Sequence, residues 1–97
     1  MWEVVLSQEA VRQFRRLTPA DRAFLRDGMQ RHLAESDPGH RSRNKFRLRR
    51  ASPYADYELR LGRWRVFYRL RERRVEVVMI GEKKGDLLYV GGEEFRL

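Results

Sequence analysis

The chain has no cysteine, which excludes disulfides and thiolate zinc sites. Histidine is nearly absent as well. His32 and His40 are the only two imidazoles, nothing in their spacing pairs them, and both read as ordinary surface or rim residues. Acid–base chemistry built on an imidazole pair is therefore not evident. No P-loop, no GxGxxG following a strand and no nucleophile elbow can be found. No metal and no cofactor are expected. There is also no long apolar run, no signal peptide and no lipidation motif, so the reading is a soluble cytoplasmic protein with no membrane partner. Lysine is scarce, with 3 residues against 19 arginines.

What is present is charge. The 97 residues carry a formal net charge of +8, and the sequence pI is about 10.8. That balance suits a polyanionic partner, either nucleic acid or an acidic protein. The length allows one domain with a modest core. No repeat or linker divides it, so residues 1–97 are read as a single unit.

WEVVL (Trp2–Leu6) is short, apolar and β-branched, and predicts a strand. Ser7 follows as an N-cap, with Glu9 in the first turn. Ala10, Val11, Phe14 and Leu17 recur at helical spacing, and this helix is expected to end near Leu17. Thr18 then caps a second helix, with Pro19 at N1 and Asp21 at N3. Leu25, Met29 and Leu33 form its apolar stripe, and Pro38-Gly39 stops it. Residues 37–45 read as a basic loop and FRLRRA (Phe46–Ala51) as a strand, followed by a turn around Pro53. VEVVMI (Val75–Ile80) is nearly continuously apolar and predicts an internal strand. GEKKGD (Gly81–Asp86) reads as a loop, Leu87–Val90 as a short strand, and EEFRL as an acidic-aromatic tail.

The stretch from Tyr57 to Gly81, YELRLGRWRVFYRLRERRVEVVMIG, organises the rest. Gly62-Arg63 closes a hairpin, and glycine first in a two-residue loop suits a type II′ turn. The register follows: Leu61 opposite Trp64, Leu59 opposite Val66, Tyr57 opposite Tyr68. These six share one face. The other face sets Glu58 opposite Phe67 and Arg60 opposite Arg65, with Arg69 four residues further along. Like charges directly opposed across a hairpin are destabilising. Their presence points to an anion site, phosphate being the natural ligand of clustered guanidiniums. The competing reading is a solvated basic face in an arginine-rich chain. Adding Lys83, Lys84 and Tyr89 gives cations to stabilise a pentacoordinate phosphorane and a tyrosine for proton transfer or stacking. Tyr89 could equally be an aromatic anchor for the tail.

The order of elements, the ELRLGRWRVFYRL hairpin, and VVMIGEKKGDLLYV with a tyrosine eight residues past its glycine together resemble the RelE/ParE superfamily of type II toxins. The resemblance lies on its RelE-like side and covers nearly the whole chain. It implies an α+β fold: a twisted antiparallel sheet in the order β-α-α-β-β-β-β, with an N-terminal helical hairpin on one face and a basic cleft on the other. It also implies a metal-independent endoribonuclease, an mRNA interferase cutting mRNA on the ribosome by attack of the ribose 2′-hydroxyl on the adjacent phosphate. An acidic antitoxin would neutralise it. By position, Arg65, Tyr89, Arg60 and Lys83 take the catalytic roles, and Lys84, Arg69 and Glu58 the substrate-binding ones. One departure stands out. Where RelE-type sequences can carry a lysine two residues before the Arg60 position, this chain has Glu58, which could act as a base or mark a weaker nuclease. The rival activity on the same fold is ParE-like poisoning of DNA gyrase, and a third is nucleic-acid binding without chemistry.

The face assignment can be tested directly. Trp64→Ala removes a large core aromatic and is expected to cost about 3–5 kcal/mol. Thermal melting measures this, and an unchanged melt would mean that the two hairpin faces are reversed.

Overall fold

A computed structural model describes residues 1–49 and 54–96. The end of FRLRRA and the turn at Pro53 lie outside them. The described residues form one mixed sheet of seven strands: β1 (Glu3–Leu6), β2 (Lys45–Arg47), β3 (Tyr57–Leu61), β4 (Trp64–Arg71), β5 (Arg74–Lys84), β6 (Leu87–Val90) and β7 (Glu93–Glu94). Helices α1 (Gln8–Arg15) and α2 (Pro19–Met29) lie between β1 and β2. The sheet runs β2-β3-β4-β5-β6-β7, all antiparallel. β1 joins it in parallel, beside the first half of β5, from Glu3 against Arg74 to Leu6 against Val77. β6 takes the second half of the same edge.

The helix starts follow from their caps. The Ser7 hydroxyl accepts from the Ala10 amide at 3.0 Å, and the Thr18 hydroxyl from the Asp21 amide at 3.1 Å. Helix α1 ends at Arg15 rather than Leu17, because the Leu17 amide already bonds back to the Phe14 carbonyl in the turn. Past Met29, α2 widens into a π-helical segment, Gln30–Ala34. The buried Lys45 ammonium closes that end by donating to the carbonyls of His32 (3.1 Å) and Asp37 (2.9 Å). Such donors satisfy carbonyls that have no partner within the helix.

The hairpin register is as expected at all five pairs from Tyr57–Tyr68 to Leu61–Trp64, with Gly62 at φ +59°. Leu59, Leu61, Trp64, Val66 and Tyr68 are buried under the helices with Leu25, Met29 and Leu33. The Tyr68 hydroxyl donates to the Pro38 carbonyl at 2.6 Å, and its ring stacks on Tyr57. Burial is the main force raising the Tyr68 pKa above its ordinary value.

Three expectations are corrected. GEKKGD is not a loop: β5 continues through Lys84, and only Gly85-Asp86 turns. The tail is not free, because Glu93–Glu94 pairs with β6 and the Phe95 amide donates to the Leu88 carbonyl at 2.8 Å. The helices are therefore followed by six strands, not four. The far face of the sheet is also not simply open. Phe67 and Met79 are buried there with Ala55, covered by Leu48, Leu88, Val90 and Phe95, as a second small core. No described helix is long and apolar enough to cross a membrane.

Between β4 and β5 the chain turns on Glu72 and Arg73, with φ of 50° and 63°. Both occupy the left-handed region, which costs a non-glycine residue roughly 1–2 kcal/mol. Asn-Gly is the sequence that such a turn prefers. Replacing the pair (Glu72→Asn with Arg73→Gly) is expected to stabilise the fold by about 1 kcal/mol or more, seen as a higher midpoint in urea. An unchanged or lower midpoint would contradict the strain assigned to this turn.

Candidate functional site

Alternation along β3, β4 and β5 sends Glu58, Arg60, Arg65, Gly81 and Lys83 to the face away from the helices. Glu58, Arg65 and Lys83 meet there in a cleft of about 330 Å³, with Arg60 beside it through its bond to Glu58. Its floor is apolar, with Phe67, Leu88 and Phe95, and its charged lining is Glu58, Arg65, Lys83, Asp86, Glu94 and Arg96. Gly81 lets β6 pack closely beside β5. A Cβ there would stand 2.9 Å from Leu88 Cδ1 and 3.0 Å from the Tyr89 carbonyl oxygen, so only glycine lets β6 cross this close.

Glu58 resolves the opposition of Arg60 and Arg65. Its Oε1 accepts from Arg60 Nε at 3.0 Å, and its Oε2 lies 3.8 Å from Arg65 Nε. The carboxylate thus sits between two guanidiniums that would otherwise repel across the strand pair. Arg60 also stacks over the Phe46 ring at 4.2 Å. Arg65 folds back over the hairpin turn, where its Nη1 donates to the carbonyls of Gly62 (2.6 Å) and Trp64 (2.9 Å). Its side chain is only 16% exposed, so it is not part of a solvated basic face. Burial lowers the pKa of the guanidinium; Glu58 opposes that shift and Arg60 adds to it. Among the described residues, Arg65 Nη2 and the Lys83 ammonium have no hydrogen-bond partner.

The basic cleft expected on this face is electrically balanced: its lining sets three cations against three carboxylates. Arg69 points to the same face but is held by Glu76 at 2.8 Å. Two further members of the expected constellation are elsewhere. Tyr89 pairs with Glu82, which in turn pairs with Trp64, and this places its ring on the helix side of the sheet. Lys84 follows it there, with its ammonium 5.3 Å from the Tyr89 ring centre. The structure therefore brings Glu58, Arg65 and Lys83 into one cleft, holds Arg60 at its edge through Glu58, and separates Tyr89 and Lys84 from them by the thickness of the sheet. His32 and His40 join neither group. Burial and the nearby Lys45 charge lower the His32 pKa.

Asp86 and Arg96 were not singled out from the sequence, and Glu94 reads there only as part of an acidic tail, solubilising or partner-facing. The available signal was Gly91-Gly92 between an alternating LLYV and EEF, a hairpin pattern that folds the tail back beside β6. Among the described residues, no three His, Asp or Glu side chains gather closely enough to hold a metal ion. Comparison with protein-family models, with curated proteins and with solved structures finds no match to this chain.

The role of Glu58 as the charge between two arginines has a measurable consequence. Glu58→Ala leaves Arg60 and Arg65 opposed with no carboxylate between them and is expected to cost about 1–3 kcal/mol. Adding Arg60→Ala to that variant is expected to recover part of the loss in urea denaturation. A strictly additive double variant would show that the three side chains are not coupled.

Proposed function

We propose that this chain is a RelE-like toxin of a type II toxin–antitoxin pair, an endoribonuclease that cuts mRNA held on the ribosome. The observation that carries the reading is the Glu58 carboxylate, set between Arg60 and Arg65 with the unpaired Lys83 ammonium lining the same cleft. In this reading Glu58 takes the proton of the ribose 2′-hydroxyl. The 2′-oxygen then attacks the adjacent phosphorus. Arg65, through its free Nη2, and Arg60 stabilise the charge that builds on the phosphoryl oxygens, and Lys83 supplies a proton to the departing 5′-oxygen. Tyr89 has no part in the step, because it lies on the other side of the sheet. The partner expected in the cytoplasm is an acidic antitoxin.

A carboxylate is a weak base at neutral pH, with a reference pKa near 4. Most of the rate must then come from holding the 2′-hydroxyl in line with its phosphate, which can be worth several kcal/mol. A ribosome presenting the message supplies that alignment, and free RNA does not. A second reading, binding of DNA gyrase without cleavage, is favoured by one observation: the balanced charge of the cleft lining, which suits a protein surface better than a polyanion.

Primer extension on one message, free and on translating ribosomes, separates the two. Cleavage is expected on ribosomes and weak or absent on free RNA. Removing a general base typically costs 10²–10⁴ in rate, so Glu58→Gln is expected to lose at least about 100-fold, whereas Tyr89→Phe is expected to retain cleavage. Full cutting by Glu58→Gln would remove the assigned base. No cutting on either substrate, together with blocked DNA supercoiling, would move the function to gyrase.

A further inference from the structure

The helix side of the sheet carries a second hollow, of about 430 Å³, between the end of α1 and the β5–β6 hairpin. We propose that it docks an acidic segment of a partner protein, through one apolar side chain seated in the hollow and carboxylates on its rim. This proposal does not depend on the activity assigned to the other face.

The apolar surface is contributed by Leu17, Trp64 and Ile80, with the Tyr89 ring beside them. Two cations stand over it. Among the described residues, neither Arg16 nor Lys84, both exposed, has a side-chain hydrogen bond or ion pair, and the Lys84 ammonium lies over the Tyr89 ring. The one carboxylate in the lining, Glu82, is already held by Arg63 at 2.9 Å. Gln13 is likewise spent: its Oε1 accepts from the Ile80 amide at 2.6 Å and its Nε2 donates to Glu9 at 3.2 Å. The hollow therefore presents two uncommitted positive charges around an apolar floor, the complement of a hydrophobic residue flanked by Asp or Glu. Its wall at Gly91 and Gly92 has no side chains, and a Cβ at either would meet nothing within 4 Å. An opening of that kind admits a passing chain and gives little enclosure to a free small molecule. Clustered charge of one sign at a rim also speeds encounter with an acidic partner.

Trp64 makes the site readable. Trp2→Phe leaves it as the one indole in the chain. The probe is the peptide acetyl-Glu-Leu-Phe-Glu-amide, titrated against this variant by indole fluorescence and by amide shifts of Gly91 and Gly92. Saturable binding is expected, weakened at least tenfold by Lys84→Glu and, separately, by Arg16→Glu. Both side chains are exposed, and unchanged amide shifts in the second small core would show that the variants remain folded. The peptides acetyl-Lys-Leu-Phe-Lys-amide and acetyl-Glu-Gly-Gly-Glu-amide are expected to bind at least tenfold more weakly. Equal binding of either, shifts centred on Arg65 and Lys83, or no saturation up to millimolar peptide would each overturn the proposal.

Discussion

Val78 is the extra residue of β5. Phe67 pairs with Met79 and Tyr68 with Val77, so Val78 bulges between them. A bulge shifts the alternation of side chains by one. Below it, Val75 and Val77 face the helices; above it, Ile80 does, while Met79 turns to the far face beside Phe67. Without the shift the two cores could not both fill. The bulge is fastened by Ser7, whose hydroxyl donates to the Val78 carbonyl at 2.7 Å while its amide donates to the Val77 carbonyl at 2.8 Å. The same hydroxyl caps α1. One small side chain thus ties the irregularity of the sheet to the start of the first helix.

The hairpin was legible because two local rules coincide there. A two-residue turn with glycine first fixes which residues oppose, and the apolar set then falls on one face. The helix starts were legible for a similar reason, since each depends on a cap and its neighbours within three residues. The end of β5 was not. Glu82, Lys83 and Lys84 are charged and flanked by glycines, which locally reads as loop, yet pairing to β4 and β6 extends the strand through them. That misreading also misplaced Tyr89. Its face is set by its pairing with Glu82, and no rule local to LLYV contains that information.

The charge of the chain was easy to count and hard to place. Many of the arginines are structural. Arg63 alone reaches Asp21 at 3.3 Å and Glu82 at 2.9 Å while lying 4.8 Å from the Trp64 ring centre, so it joins α2, the hairpin turn and β5. Arg74 reaches Glu3 across the parallel pair at 3.2 Å. Exposed pairs of this kind contribute little each, but they remove guanidiniums from the pool available to a ligand. The count of 22 Lys and Arg therefore overstates the free positive charge, and the excess of +8 is not spread evenly: the lining of the far-face cleft carries none of it.

The parallel pairing of β1 with β5 bears on how the chain acquires its shape. Ser7 and Val78 are 71 positions apart, and among the described residues β1 pairs with no other strand. The first strand therefore waits for nearly four-fifths of the polypeptide before it can dock. Long-range pairing of this sort slows folding. The helical hairpin can form early from local signals, but its apolar stripe has nothing to cover until β3, β4 and β5 exist. In a growing chain, the N-terminal third therefore stays without the sheet that covers its apolar stripe until β5 has been made.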